Sequence, residues 1–329
     1  GRKALREALY AEDYAYAAEL AIAQEQEGAD LLVINAGLPD IDEEKALPRL
    51  VQEVQRVSPL PLVLDSSDPV AMENAIRVYS GRPILNSVNG DRESMEAMLP
   101  LAAKYGCAIV VLAMDDKGIS DTAEGRISAA EKVIRAGEGM GVPSRDFLGD
   151  CLTMSAAASQ DEAMVAVEAT RLARGRGWKT ILGVSNVSHG LPGRDVLNSA
   201  FLAANLAAGL NVAIMNTASR RMMETIAAAK VLMGQDPGAA AYISAFGGKS
   251  RREERSPVGS LQELIISGKR GEVPAAAEAL LQTVPPLEAI NGHIVPALDE
   301  VGTRYETGEL FLPQLMASAE AAKAAFDVI

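Results

Sequence analysis

The sequence predicts an α/β fold, a (β/α)8 barrel short of its first strand, followed by an all-helical domain. Three observations lead there. Seven short apolar runs recur along the first 246 residues with helical segments between them. Each run is apolar on both faces, as a strand covered on both sides must be. After Phe246 such runs stop and only helical spacing continues. The repeat of roughly 20–35 residues suits a (β/α)8 barrel, which needs one strand more than the seven visible.

The chain opens on GRKALREALYAEDYAYAAELA, which reads as one charged amphipathic helix with no secretory apolar stretch ahead of it. The strand candidates follow as LLVINAG (31–37), PLVLDSS (61–67), PILNSV (83–88), AIVVLAM (108–114), FLGDCLT (147–153), TILGVSN (180–186) and NVAIMNT (211–217). Helical patterns such as EKALPRLVQEVQRV and AEGRISAAEKVIRAG fill the intervals. Strict alternation calls for a parallel sheet with helices outside it. Because the chain starts on a helix, the expectation is that strand one precedes Gly1 in a longer polypeptide; an open doubly wound sheet is the alternative. GGKSRREERSPVG (247–259), charged and rich in Gly, Pro and Ser, marks a linker. SLQELIISG, VPAAAEALLQTV, PPLEAINGHIVPALDEVGTRYETG and LPQLMASAEAAKAAFDVI then read as a bundle of about four helices. The expected limits are 1–246 for the barrel, 247–260 for the linker and 261–329 for the helical domain.

Composition excludes several functions. With 31 Lys+Arg against 44 Asp+Glu, the net charge of −13 opposes nucleic-acid binding, which needs a basic face. Two cysteines, Cys107 and Cys151, each inside an apolar run, suit reduced buried thiols and a cytoplasmic protein. Two isolated histidines, His189 and His293, give no zinc set, and no apolar stretch approaches the length of a membrane span.

In a barrel the C-terminal strand ends form the reactive face. Here Asn35, Asp65, Asn86, Asp115, Asp150, Asn186 and Asn216 each close a run. Asx residues commonly cap turns, yet their presence on all seven runs favours a pocket of carboxylates and amides. Such a pocket suits a flat neutral heterocycle rich in N–H groups, such as the 2-amino-4-oxopyrimidine edge of a pterin. A phosphate ligand would call for basic residues or a glycine cradle. GGKS (247–250) lacks the leading glycine and the preceding strand of a phosphate loop, and GEGMG (137–141) follows a helix, as a terminating turn does. His189 can line the pocket or simply pack.

VINAGLPDIDE (33–43), LVLDSSDP (62–69), ILNSVNG (84–90), DCLT (150–153) and GVSNVSHGLPGR (183–194) together carry a signature. It resembles the pterin-binding, methyltetrahydrofolate-dependent methyltransferases, most of all the folate-binding barrel of cobalamin-dependent methionine synthase. Corrinoid-protein methyltransferases and, more distantly, dihydropteroate synthase are relatives. AINGHIVPALDEVGTRYETGELFLPQLMASAEAAKAAF (289–326) is similar to the helical cap that precedes a cobalamin-binding domain. The resemblance implies a TIM barrel with a cap, acting in methyl transfer from N5 of 5-methyltetrahydrofolate to cob(I)alamin. It implies that Asp65, Asn86 and Asp150, with Asn35 beside them, meet the pterin edge, that Asn186 bonds N5 as the catalytic residue, and that Arg194 contacts the folate. Phe311, Leu312, Leu315 and Met316 would cover the corrinoid or else form bundle core. The family's DxHxxG cobalamin motif, its E-R-x-N motif on strand one and its three-cysteine zinc domain for homocysteine do not occur in the sequence. Cobalamin is therefore expected on a partner domain, with no zinc in this chain. The alternatives are a methyltetrahydrofolate:corrinoid protein methyltransferase, or a docking unit that binds folate and shields cobalamin without turnover alone.

Overall fold

The computed structural model describes residues 3–247 and 260–329. The expected linker and the GGKS tetrapeptide lie outside the described residues, apart from Gly247 and Ser260. The chain divides into two compact units, Gly1–Ala229 and Lys230–Ile329.

In the first unit, α1 (Lys3–Tyr10) and α2 (Ala15–Gln26) lead into β1 (Leu32–Asn35), α3 (Glu43–Gln55), β2 (Leu62–Asp65), α4 (Pro69–Val78), β3 (Ile84–Val88), α5 (Arg92–Tyr105) and β4 (Ala108–Leu112). A hairpin of β5 (Met114–Asp115) and β6 (Gly118–Ile119) precedes α6 (Ala123–Gly139). The alternation continues through β7 (Phe147–Asp150), α7 (Gln160–Gly175), β8 (Lys179–Gly183), α8 (Arg194–Ala208), β9 (Val212–Ile214) and α9 (Arg220–Leu232). Seven strands form one sheet in the order β1-β2-β3-β4-β7-β8-β9, every neighbouring pair parallel. These are the seven apolar runs in chain order.

Alternate residues of the sheet feed two cores, as in a curled barrel sheet. Leu62, Leu64, Ile109 and Val111 pack with the apolar faces of α3, α4 and α5. Val110, Leu148 and Ile181 form a separate inner cluster, joined by Ile84, Leu112, Val212 and Ile214. Because side chains alternate along a strand, Asp150 shares the inward side of Leu148. Beyond β9, the Thr217 hydroxyl donates to Glu27 Oε2 at the end of α2 (2.7 Å).

Three details bear on the expectation. The opening helix is two, because Glu12 turns left-handed (φ 54°) between α1 and α2. Asp115 stands in the added hairpin beyond the end of β4, where its Oδ1 accepts the Lys117 N–H (3.0 Å) and caps the turn. GEGMG is a helix end, as expected, closing on Gly141 at φ 94°.

The second unit holds α10 (Ala240–Phe246), α11 (Leu261–Ile266), α12 (Val273–Leu281), α13 (Pro286–Ala289), α14 (Val295–Glu306) and α15 (Leu312–Phe326). A π-turn over Ile290–Ile294 joins α13 to α14, with Val295 N–H bonding to Ile290 O. Pro296 explains the wider turn, since it cannot donate the next ladder bond. Leu261, Leu264, Ile265, Val273, Ala277, Ile294, Ala297, Ala321, Ala322 and Ala325 make the bundle core. The division into units falls within α9, upstream of Phe246.

The hairpin is seated by a close backbone approach. Gly90 N–H donates to Met114 O (2.8 Å), and a Cβ on Gly90 would lie 2.8 Å from Asp115 Cβ and 2.9 Å from Met114 O. Gly90→Ala should therefore cost about 1–3 kcal/mol of stability, read as a lower urea midpoint with the slope unchanged.

Candidate functional site: the C-terminal rim of the barrel

Parallel register sets Asn35 opposite Asp65, and Asp65 opposite Asn86. Three polar side chains thus end three adjacent strands at one level. The Asn35 and Asn86 amides both bond the Asp65 carboxyl. Burial raises the Asp65 pKa, and these two bonds oppose the rise. Asn35 can donate because its own Oδ1 is occupied by the Gly37 N–H (2.9 Å).

Asp150 ends β7, across from Leu112 of β4. Its Oδ1 accepts the Leu152 N–H (2.8 Å), and among the described residues no side-chain donor bonds it. Burial pushes its carboxyl up to about 6, with the Leu152 bond pulling the other way. Leu152 itself is held at φ 62°, a conformation costly for a leucine. The Thr153 hydroxyl next along is buried without a hydrogen-bond partner.

Asn186 sits in a 3-10 turn, Val184–Ser188, directly after β8 and is exposed. Its amide folds back over Gly183, where a Cβ would come within 3.1 Å of Nδ2. Arg194, at the start of α8, points its guanidinium into this turn, Nε donating to Ser188 Oγ (2.9 Å) and Nη2 to Ser185 O (2.8 Å). Ser155 Oγ donates to His189 O (2.6 Å) and Ala156 N–H to Val187 O (2.9 Å), fastening the loop after β7 to the loop after β8.

The turn-capping reading of the Asx residues is therefore true of some positions and incomplete at others. Asn35, Asp115, Asp150 and Asn216 each accept the N–H two residues ahead. Asp65 and Asn86 instead pair with each other. Missed from sequence were the bracing role of Ser185 and Ser188, the Gly183 clearance and the buried Arg126; the helical spacing of Arg126 with Ala123, Ala130 and Val133 was the signal that could have placed it inward. Cys107 and Cys151 are buried thiols whose pKa values burial pushes up to about 11 and about 12. Among the described residues, no group of three or more His, Cys, Asp or Glu is disposed to hold a metal, and no helix is long and apolar enough to cross a membrane.

In the helical unit, Phe311, Leu312 and Met316 are 37, 54 and 62% exposed, and Leu315 is half-buried. None of the four belongs to the bundle core.

The fold is a barrel-like parallel sheet whose C-terminal strand ends carry carboxylates and amides. The sequence pattern of the pterin binding enzymes matches residues 1–216, and the chain belongs to that family. Residues 259–329 match the B12 binding domain, which corrects the expectation that cobalamin binding rests on a partner domain alone: such a module lies within this chain. The chain is 30% identical to the methionine synthase of Mycobacterium tuberculosis (strain ATCC 25618 / H37Rv) over 99% of its own length, which is 30% of that protein. It is 27% identical to the methylcorrinoid:tetrahydrofolate methyltransferase of Eubacterium limosum, over 74% of this chain and 91% of that one. The chain thus spans under a third of the methionine synthase it matches. Dihydropteroate synthase from Thermus thermophilus shares the fold, with a TM-score of 0.53 at 21% identity over 66% of this chain and 87% of that one.

Since the Asp150 pKa rises on folding, its contribution to stability is fullest below the unfolded value and falls as pH climbs through about 6. Asp150→Asn, which keeps an acceptor for Leu152, should melt above the wild type at pH 7.5 and converge with it below about pH 4 in calorimetric scans.

Proposed function

We propose that this chain binds 5-methyltetrahydrofolate at the rim and presents its N5-methyl group for transfer to a corrinoid. The observation that carries the reading is the level row Asn35–Asp65–Asn86 on the same sheet edge as the half-buried, side-chain-unpaired Asp150 carboxylate, in a chain of the pterin binding family. A carboxylate accepts two adjacent N–H donors, which the 2-amino-4-oxopyrimidine edge provides. Asp150 is free to do so with the acceptor capacity that Leu152 leaves. Asp65, steadied by two amides, would take the neighbouring donors, with Asn86 reading an adjacent polar atom and Arg194 holding the Asn186 turn against the folate.

N5 carries a tertiary amine, a poor leaving group unless positive charge develops there. Asn186 would bond N5 more strongly in the transition state than in the ground state. An amide is no acid, so the proton comes through water, with the rim carboxylates as its relay. When bound, the corrinoid supplies the acceptor for the methyl group. Phe311, Leu312, Leu315 and Met316 would suit the flat apolar face of such a group, because all four are apolar, three are exposed and none belongs to the bundle core. The B12 binding domain match over the same residues supports that assignment. A cobalamin domain and a homocysteine domain elsewhere in a methionine synthase would complete the reaction.

The similarity to a methylcorrinoid:tetrahydrofolate methyltransferase over 91% of that protein favours a second reading, methyl exchange with a separate corrinoid protein. The B12 binding module after the barrel weighs toward the first. A third reading, a docking unit, predicts folate binding with no turnover on free cob(I)alamin.

Asn186→Ala should lower methyl transfer to cob(I)alamin by about two to three orders of magnitude while folate affinity changes little. Unchanged turnover would remove Asn186 from the chemistry. Asp65→Ala and Asp150→Ala should each abolish calorimetric binding of methyltetrahydrofolate. In the wild type, affinity should weaken as pH falls through about 6, because protonation removes the Asp150 acceptor; Asp150→Asn should flatten that limb.

A further inference from the structure

Arg126, on α6, is the largest fully buried side chain among the described residues, at 0% exposure. Burying a guanidinium is costly unless its donors are met, and here they are. Nε donates to Ser120 O (2.8 Å), Nη1 to both Cys151 O (3.0 Å) and Leu152 O (2.7 Å), and Nη2 to Glu162 Oε2 (3.0 Å). Two of these bonds reach successive carbonyls directly after Asp150. The first has a specific consequence, because the Cys151 carbonyl and the Leu152 N–H belong to one planar peptide unit. Arg126 holds the oxygen of that unit, and Asp150 Oδ1 holds its hydrogen (2.8 Å). The plane is pinned at both ends. The second bond, to Leu152 O, fixes the following unit and with it the left-handed Leu152. A charged donor on the oxygen also polarises the N–H toward the carboxylate.

We infer that Arg126, steadied by Glu162, is the positioning residue for Asp150: by pinning the Cys151–Leu152 peptide unit it aims the Leu152 N–H at the carboxylate and so orients the acceptor that meets the pterin edge. The inference rests on the reading of Asp150 as a folate contact. A lysine would keep the charge but lacks the planar fork that spans both carbonyls and Glu162. The same geometry explains why a leucine tolerates φ 62° at this place, since both flanking carbonyls are bound to one buried cation.

The test uses the full chain labelled with 15N-leucine, together with calorimetric binding of 5-methyltetrahydrofolate. The Leu152 amide resonance is identified by its loss in Leu152→Gly, the replacement that positive φ tolerates best. In Arg126→Lys the Leu152 proton should move upfield as its bond to the carboxylate lengthens, and affinity should fall about tenfold with the circular-dichroism spectrum unchanged. In Glu162→Gln the same resonance should shift less and affinity should fall about threefold. A folded Arg126→Lys protein with wild-type resonance and affinity overturns the inference. If that variant does not fold, wild-type values for both readouts in Glu162→Gln overturn it instead. A wild-type chain that binds no methyltetrahydrofolate refutes the functional reading, and the Leu152 resonance then still reports whether Arg126 holds the peptide unit.

Discussion

The parallel register of β1, β2 and β3 is the constraint on which the site depends. It brings Asn35, Asp65 and Asn86 level, so that one carboxyl is bonded by an amide from each side. A slip of one residue would turn Asp65 away from the pocket and into the layer of Leu62 and Leu64 beneath the helices. The same alternation that builds two cores from one sheet therefore also decides which polar residues reach the rim. Packing energy that holds the apolar positions fixes the polar ones at no further cost.

Farther round the sheet the site depends on loops, and these are held by hydrogen bonds as well as by the burial of Cys151, Val184 and Val187. The loop after β7 is tied to Arg126 on one side and to the turn after β8 on the other, through Ser155 with His189 and Ala156 with Val187. Arg194 closes the second turn on itself. Two arginines thus brace the backbone that carries Asp150 and Asn186: Arg126 directs three of its four hydrogen bonds to main-chain carbonyls, and Arg194 one of its two. This is a stiffer arrangement than side-chain pairing, since a carbonyl cannot change rotamer.

The strands were legible because buried parallel strands are continuous apolar runs, and the Asx residues that close them stand out against that background. β5 and β6 were not, because a two-residue strand has no periodicity to read. The break at Glu12 was hidden as well, since the apolar spacing continues across it. Among site residues, Asp65, Asn86 and Asp150 could be read as rim groups, but their partners could not. Asn35 to Asp65 is a contact across thirty positions that exists only through the sheet. Arg126 shares the helical stripe of Ala123, Ala130 and Val133, so its place on the buried face follows from spacing, but the carbonyls that meet its guanidinium come from other segments and only the fold brings them there. Arg194 was read as a group for the folate because it closes a motif; its bonds to Ser185 and Ser188 depend on the local turn, which apolar patterning does not describe.

On the proposed reading of Asp150 as the pterin acceptor, function and stability oppose one another at this rim. Burial works against the charged form and raises the Asp150 carboxyl to about 6, whereas an ionised acceptor is what a donor-rich heterocycle requires. One backbone N–H partly reconciles the two, and its direction depends on a leucine held in a conformation that costs energy. That cost is offset by the buried Arg126, whose own desolvation is offset in turn by Glu162 and three carbonyls. Each member of this series is unfavourable alone and stable only with the next. It follows that the direction of the Asp150 carboxylate depends on the whole series, from Glu162 through Arg126 to the Leu152 N–H, rather than on any one bond.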